Sequence, residues 1–309
     1  MSTTTTQMTT HTLDVPGATL TYDVRRNDIR TGDSKTGEAS TEPILVLIGF
    51  PMGAAGFVSL AKHFTDRTVV TYDPRGSERS VKADPTSQAW PDVHADDLHR
   101  LIQAVGGGPV DLFASSGGAV HALELVSKHP EDVRTLVAHE PPIASILDDR
   151  EPALTACRSV YDTYQQRGWG AGMAHFFTIL GHRGPITADF ANQPAPDPAM
   201  FGMPTEDDGS RTDPMLSESI ITTTHYEPDF EALRASSTRI VAAAGEESEG
   251  ELTYRSVYAV AEGLGVEPVI FPGGHGGFLG GEYGQTGDPD GFAAKLRQVL
   301  SEADEEEAR

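Results

Sequence analysis

Residues 110–126 read VDLFASSGGAVHALELV. A β-prone run leads into Ala114-Ser115-Ser116-Gly117-Gly118, and an apolar helical stretch follows. A nucleophilic serine needs such a sharp strand-to-helix turn. Small neighbours let the helix pass close to the strand, and the strained backbone lifts the hydroxyl clear of the sheet. Ser116 stands at the apex, with Ala114 two residues before it and Gly118 two after. The start of the helix would present backbone N–H groups beside the hydroxyl. Serine chemistry also needs a base. The chain has 11 histidines, and His275 is set apart from the rest: it follows a β-prone run, sits among the four glycines of PGGHGGF, and comes late. An imidazole there would take the Ser116 proton and return it to a leaving group.

Those side chains need a sheet to hold them. Residues 44–48 form a continuous apolar β-prone run, as expected of a strand buried on both faces. Residues 68–72 (TVVTY), 110–113 (VDLF) and 135–138 (TLVA) repeat the pattern. Leu98, Leu101, Ile102 and Val105 follow helical spacing before Gly106-Gly107-Gly108, and 119–126 is a second helical stretch ended by His129-Pro130. Further on, 239–244 and 267–271 read as strands around a helical segment at 254–263. Phe292, Leu296, Val299 and Leu300 mark a closing amphipathic helix. The expected class is α/β, a mostly parallel central sheet with helices on both faces. Before it, HTLDVPGATLTYDVR predicts a hairpin about Pro16-Gly17. The Thr-rich first ten residues read as a frayed arm, and 27–41 as a polar loop. Residues 143–236 break the strand–helix rhythm. They are rich in aromatics and Met, with a Pro-rich loop at 194–214, and predict a helical insertion over one edge of the sheet with its own aromatic core.

Four motifs stand in order along the chain: LIGFPMG at 47–53, YDPRGSERS at 72–80, LFASSGG at 112–118 and PGGHGGF at 272–278. Together they resemble the α/β-hydrolase family. They are similar to its H-G-x-P loop (Ile48 stands where the family often has His), its D-x-R-G-x-G-x-S turn, its G-x-S-x-G elbow (Ala114 replaces the first Gly) and its histidine segment. The resemblance covers about residues 13–300 and implies an α/β-hydrolase fold. Its core hydrolase domain would comprise 1–142 and 237–300, with 143–236 as a helical cap and 301–309 as an acidic disordered tail. It further implies Ser116 as nucleophile, His275 as base, and the backbone amides of Phe50 and Gly117 as the oxyanion hole. The family's usual acid position, three residues after the glycine of RIVAAAG, holds Ser248, which cannot serve as an anion. Glu246 and Glu247 flank it. The family's other option, the end of the strand after the elbow helix, falls on Glu140 in TLVAHEPP. Glu140 is the preferred acid and Glu247 the alternative. Asp73 and Arg75 are expected to pair within their turn.

The activity implied is a serine hydrolase acting on a small or medium apolar ester, lactone, thioester or amide through an acyl-enzyme, with no metal or organic cofactor. Similar proteins run cofactor-free haloperoxidase-like perhydrolysis, C–C bond hydrolysis or acyl transfer on the same triad. A catalytically silent small-molecule-binding protein is a third reading, because Ser248 occupies the usual acid position. Serine rather than aspartate at the elbow disfavours epoxide opening and halide displacement.

Composition bounds the partners. The 309 residues include 46 acidic and 23 basic side chains, a formal net charge of −23. Such a chain is a poor match for phosphate backbones or anionic membranes, and the expected partner is a small-molecule substrate. A homo-oligomer is compatible with the sequence. The acidity is spread, with net −8 over 143–236 and net −4 over 301–309. No apolar run approaches the ~20 residues of a membrane span. Cys157 is the single cysteine, which excludes an intramolecular disulfide and a cysteine-rich metal site. Neither a G-x-x-x-x-G-K-[ST] loop nor H-E-x-x-H occurs, and His94 and His99 are five apart, off the zinc spacing. The first ten residues carry no basic start and no apolar stretch, so a cytoplasmic protein without a secretory signal is expected.

Overall fold

The computed structural model describes residues 3–30 and 42–307. Among the described residues nine strands form one sheet: β1 (Thr3–Val15), β2 (Ala18–Arg30), β3 (Leu45–Ile48), β4 (Val69–Asp73), β5 (Val81–Lys82), β6 (Val110–Ser115), β7 (Val133–His139), β8 (Arg239–Gly245) and β9 (Val269–Phe271). The order across the sheet is β1-β2-β4-β3-β6-β7-β8-β9, with β5 paired to β2. β1, β2 and β4 run antiparallel, and every pairing from β4 to β9 is parallel. The helices are α1 (Val58–Ala61), α2 (Pro91–Val105), α3 (Gly117–Lys128), α4 (Arg150–Leu180), α5 (Ala188–Ala191), α6 (Ile220–Thr222), α7 (Phe230–Ala235), α8 (Leu252–Leu264) and α9 (Pro289–Glu307).

Both faces of the central parallel strands β3, β4, β6 and β7 are covered, which is why their sequences are largely apolar without alternation. Within β3, Val46 and Ile48 join the cluster under α2, α3 and α8, while Leu45 and Leu47 join the one under α1 and α9. β6 and β7 divide the same way, with Leu112, Ala114, Leu136 and Ala138 on one side and Phe113 and Val137 on the other. Phe292, Leu296, Val299 and Leu300 of α9 are all buried there, as their spacing predicts. No helix among the described residues is long and apolar enough to cross a membrane.

Between β7 and β8 the chain carries α4 to α7 and a third apolar cluster, built around Cys157, Val160, Tyr164, Ile179, Leu216 and Ile221. Tyr161, Trp169, Met173, Phe176 and Phe190 pack against it. α4 is broken at Gly168, where φ is 82°.

Three expectations are corrected. The Thr-rich start is not a frayed arm: Thr3–Val15 pairs residue for residue with Ala18–Arg30, because β-branched threonines suit a pleated edge even where they are not apolar. The loop expected at 27–41 begins later, since β2 runs to Arg30; 31–41 lie outside the described residues. The acidic run expected to be disordered from 301 continues α9 to Glu307, in keeping with the helix propensity of Ala and Glu; 308–309 lie outside the described residues.

Candidate active site

Ser116 is the first residue beyond β6, and its backbone has φ 58° and ψ −130°. That conformation is costly for a residue with a Cβ and persists only where the surroundings enforce it. Two contacts do so. The Ser116 N–H donates to His139 O at 2.9 Å, and Ser116 O accepts from the Ala119 N–H at 2.9 Å. Gly117 and Gly118 then let α3 pass against the loop after β3. A Cβ on Gly118 would lie 2.8 Å from Gly49 Cα, and one on Gly117 would lie 2.9 Å from Phe50 O. The first amides of a helix have no intrahelical acceptor, and Gly117 opens α3 beside the Phe50 backbone. Asp73, at the end of β4, steadies that loop by accepting from the Ala54 N–H at 2.8 Å.

Glu140 is the first residue beyond β7, with φ 49° and no solvent exposure. Its N–H donates to Ala243 O at 2.9 Å, seating the residue between β7 and β8. Both carboxylate oxygens are used. Oε1 accepts from the Gly245 N–H at 2.8 Å, and Oε2 accepts from Thr253 Oγ1 at 3.2 Å and from His275 Nδ1 at 2.6 Å. Burial works to raise the pKa of this carboxyl. The hydrogen bond from His275, the nearby imidazoles and the Gly245 amide outweigh it and lower the pKa to about 2.

His275 sits in a tight glycine turn after β9. Gly273 has φ 77°, and a Cβ there would lie 2.9 Å from Gly277 Cα. About a third of the imidazole side chain is exposed. Burial disfavours its charged form, but the hydrogen bond and charge of Glu140, with Glu251 further out, raise its pKa above the ordinary value. With Nδ1–H donating to a carboxylate, Nε2 is the nitrogen left as acceptor. Among the described residues Ser116 Oγ is not hydrogen-bonded to that ring; such contacts commonly tighten only with substrate bound.

The other candidates fall elsewhere. Glu247 is exposed, and its amide donates to Gly273 O at 3.0 Å. Its carboxylate makes no contact with His275 among the described residues. Ser248 is buried with an unpartnered Oγ. Asp73 and Arg75 do not pair with each other: Asp73 binds Arg79 Nε at 2.5 Å, and Arg75 holds Asp97 in a buried bidentate pair at 2.6 and 2.7 Å. Sequence reasoning missed Thr253 and the Gly245 amide, which carry no motif of their own. His99, His129 and Asp132 gather at the opposite end of the strands, where Asp132 already accepts from His99 and Gln103.

Residues 42–178 match the family of the α/β-hydrolase fold. An uncharacterised hydrolase of Bacillus subtilis, YraK, is 30% identical over 273 residues, covering 86% of this chain and 89% of YraK. Among solved structures, an esterase from Thermogutta terrifontis superposes with a TM-score of 0.62 at 19% identity, covering 96% of this chain and 99% of that one. A proline iminopeptidase from Mycobacterium smegmatis gives 0.59 at 19% identity, covering 96% and 99%. At such identities these two likenesses speak for the fold. The YraK match carries the classification: the chain belongs to the α/β-hydrolase family and is a hydrolase.

Proposed function

We propose that the protein is a serine hydrolase that cleaves a small or medium apolar ester, lactone, thioester or amide through an acyl-enzyme. The observation that carries this reading is the 2.6 Å bond from His275 Nδ1 to Glu140, placed one strand over from Ser116 at its strained turn. Nε2 of His275 takes the proton of Ser116 Oγ as the oxygen attacks the acyl carbon. The Phe50 and Gly117 amides receive the oxyanion, and each such donor is worth roughly 3 kcal/mol in the transition state. Collapse breaks the bond to the leaving group, which departs with the proton from His275. Water then repeats the sequence on the acyl-enzyme, releasing the acid and restoring Ser116. Ionised Glu140 stabilises the imidazolium formed in both halves and fixes its tautomer.

We read residues 143–236 as the cap over this site, beneath which an apolar substrate binds. The acidity of the chain disfavours anionic acyl compounds. Turnover of p-nitrophenyl butyrate tests the reading. Wild type is expected to show a pre-steady-state burst, and Ser116→Ala to lose about three orders of magnitude or more in kcat. Equal turnover by the two proteins would refute it.

A further inference from the structure

Behind the loop that carries Phe50 lies a buried polar cluster that the catalytic steps above do not use. Glu218 lies in a single π-helical turn (Met215–Ser219) between β7 and β8, in the segment read here as the cap. Its side chain is 2% exposed. One carboxylate oxygen binds Lys82 Nζ of β5, and the other accepts from His94 Nε2 of α2 at 3.2 Å. The His94 ring is fully buried, and burial keeps it neutral; among the described residues its other nitrogen, Nδ1, has no hydrogen-bond partner. His94 stacks on His121 of α3 with ring centroids 3.9 Å apart and planes 5° from parallel. Both imidazoles pack on the Phe50 ring, at 4.7 and 4.8 Å. Among the described residues neither nitrogen of His121 has a hydrogen-bond partner, and the ring packs against His94 and Phe50.

Burying an ion pair and unpaired imidazole nitrogens is unfavourable compared with apolar filling of the same space. A positional role explains why they are there. Five residues after Glu218 the same segment packs on Gly117: a Cβ there would lie 3.1 Å from Thr223 Cγ2. Thr223 is itself fixed by Oγ1–H donation to Ser219 O at 2.7 Å. We infer that Glu218 is a positioning residue: through His94 and His121 it seats Phe50 while Thr223 of the same segment bears on Gly117, so that one stretch of chain sets the spacing of the two oxyanion amides. This rests on reading Phe50 and Gly117 as the oxyanion donors. It ties the segment's docking to catalytic competence without placing any of its charged groups on the substrate.

The test uses the full chain and two probes, p-nitrophenyl butyrate and a fluorophosphonate that phosphonylates the active serine. Glu218→Gln is expected to lower kcat about tenfold or more with KM changed less than about threefold, and to slow phosphonylation by a similar factor, because both reactions need the oxyanion amides in register. A merely structural role would lower the melting temperature and the folded fraction, cutting apparent kcat and the extent of labelling together while leaving the phosphonylation rate of the folded protein unchanged, so kcat is expressed per phosphonylatable site. If Glu218→Gln fails to fold because Lys82 is left buried and unpaired, Lys82→Met/Glu218→Leu removes both charges, and the same loss is expected from it. A folded variant of either kind that reacts within about twofold of wild type overturns the inference. Ser116→Ala run alongside separates the two readings. If it reacts like wild type, the serine-hydrolase reading fails and takes this inference with it. If only the Glu218 variants retain full rate, the inference alone fails.

Discussion

Glu140 meets His275 through a 2.6 Å hydrogen bond across 135 residues of sequence, and it does so from the end of β7 rather than from the loop after β8. The loop after β8 offers Glu246 and Glu247 to solvent instead, with Ser248 buried beneath. Glu140→Gln should therefore lower kcat by about three to four orders of magnitude, since a neutral amide cannot stabilise the imidazolium or hold its tautomer. Glu247→Gln should stay within about twofold of wild type, because a solvated side chain away from the ring contributes little. Steady-state hydrolysis of one ester by both variants decides between them; the reverse ranking would move the acid to Glu247.

The pH profile follows from the same bond. The pKa of His275 is raised, so the acidic limb of kcat/KM should have its midpoint above 6.5, with activity gained as the ring loses its proton. Glu140→Gln removes the hydrogen bond and charge that raise it, and residual activity should show that limb moved to lower pH. A limb that stays in place would mean another group titrates.

Stability carries the complementary sign. Glu140 has a folded pKa of about 2 against 4.5 unperturbed, so its contribution is fully present above about pH 4.5 and is lost as pH falls toward 2. Urea melts between pH 6 and pH 3 should show wild type losing more stability than Glu140→Gln/His275→Ala, which lacks both titrating partners. Parallel curves for the two proteins would contradict the shift.

Helix α3 tolerates nothing larger than hydrogen at its second residue. In Gly118→Ala the new methyl group would meet Gly49 Cα at 2.8 Å, and backbone cannot move aside cheaply. A loss of about 1–3 kcal/mol is expected in urea unfolding, with a fall in kcat as the loop before Phe50 is pushed away. Wild-type stability would show that the approach is looser.

Electrostatics adds a prediction about substrate charge. With a net charge of −23, a neutral ester should be preferred over an isosteric anionic one, and the preference should shrink as salt is raised. An anionic substrate favoured at low salt would point to a local cationic site.

Local pattern was enough for the parts of the protein that local physics determines. The doubly buried strands are continuous apolar runs, and the elbow needs Gly117 and Gly118 because backbone passes there at contact distance. The glycines around His275 mark its turn for the same reason. Pairings between distant segments were not legible. Nothing in HEPP distinguishes a carboxylate that accepts from Gly245, Thr253 and His275 from one that faces water. Arg75 takes Asp97 of α2 rather than its neighbour Asp73, because the helix brings a buried bidentate partner to it. The threonines of β1 lack the apolar alternation by which strands are usually read, and register against β2 gives them their place. Glu218 resembles any other acid of an acidic chain until Lys82 and His94 are folded around it.

The most direct measurement is the site of covalent labelling. Wild-type protein is treated with a fluorophosphonate, digested, and the adduct located by mass spectrometry. One phosphonyl group on the peptide containing Ser116, absent from Ser116→Ala and slowed by about three orders of magnitude in His275→Ala, is the result expected of a serine nucleophile served by that histidine. An unlabelled wild type, or an adduct that persists at another residue when Ser116 is replaced, would contradict it.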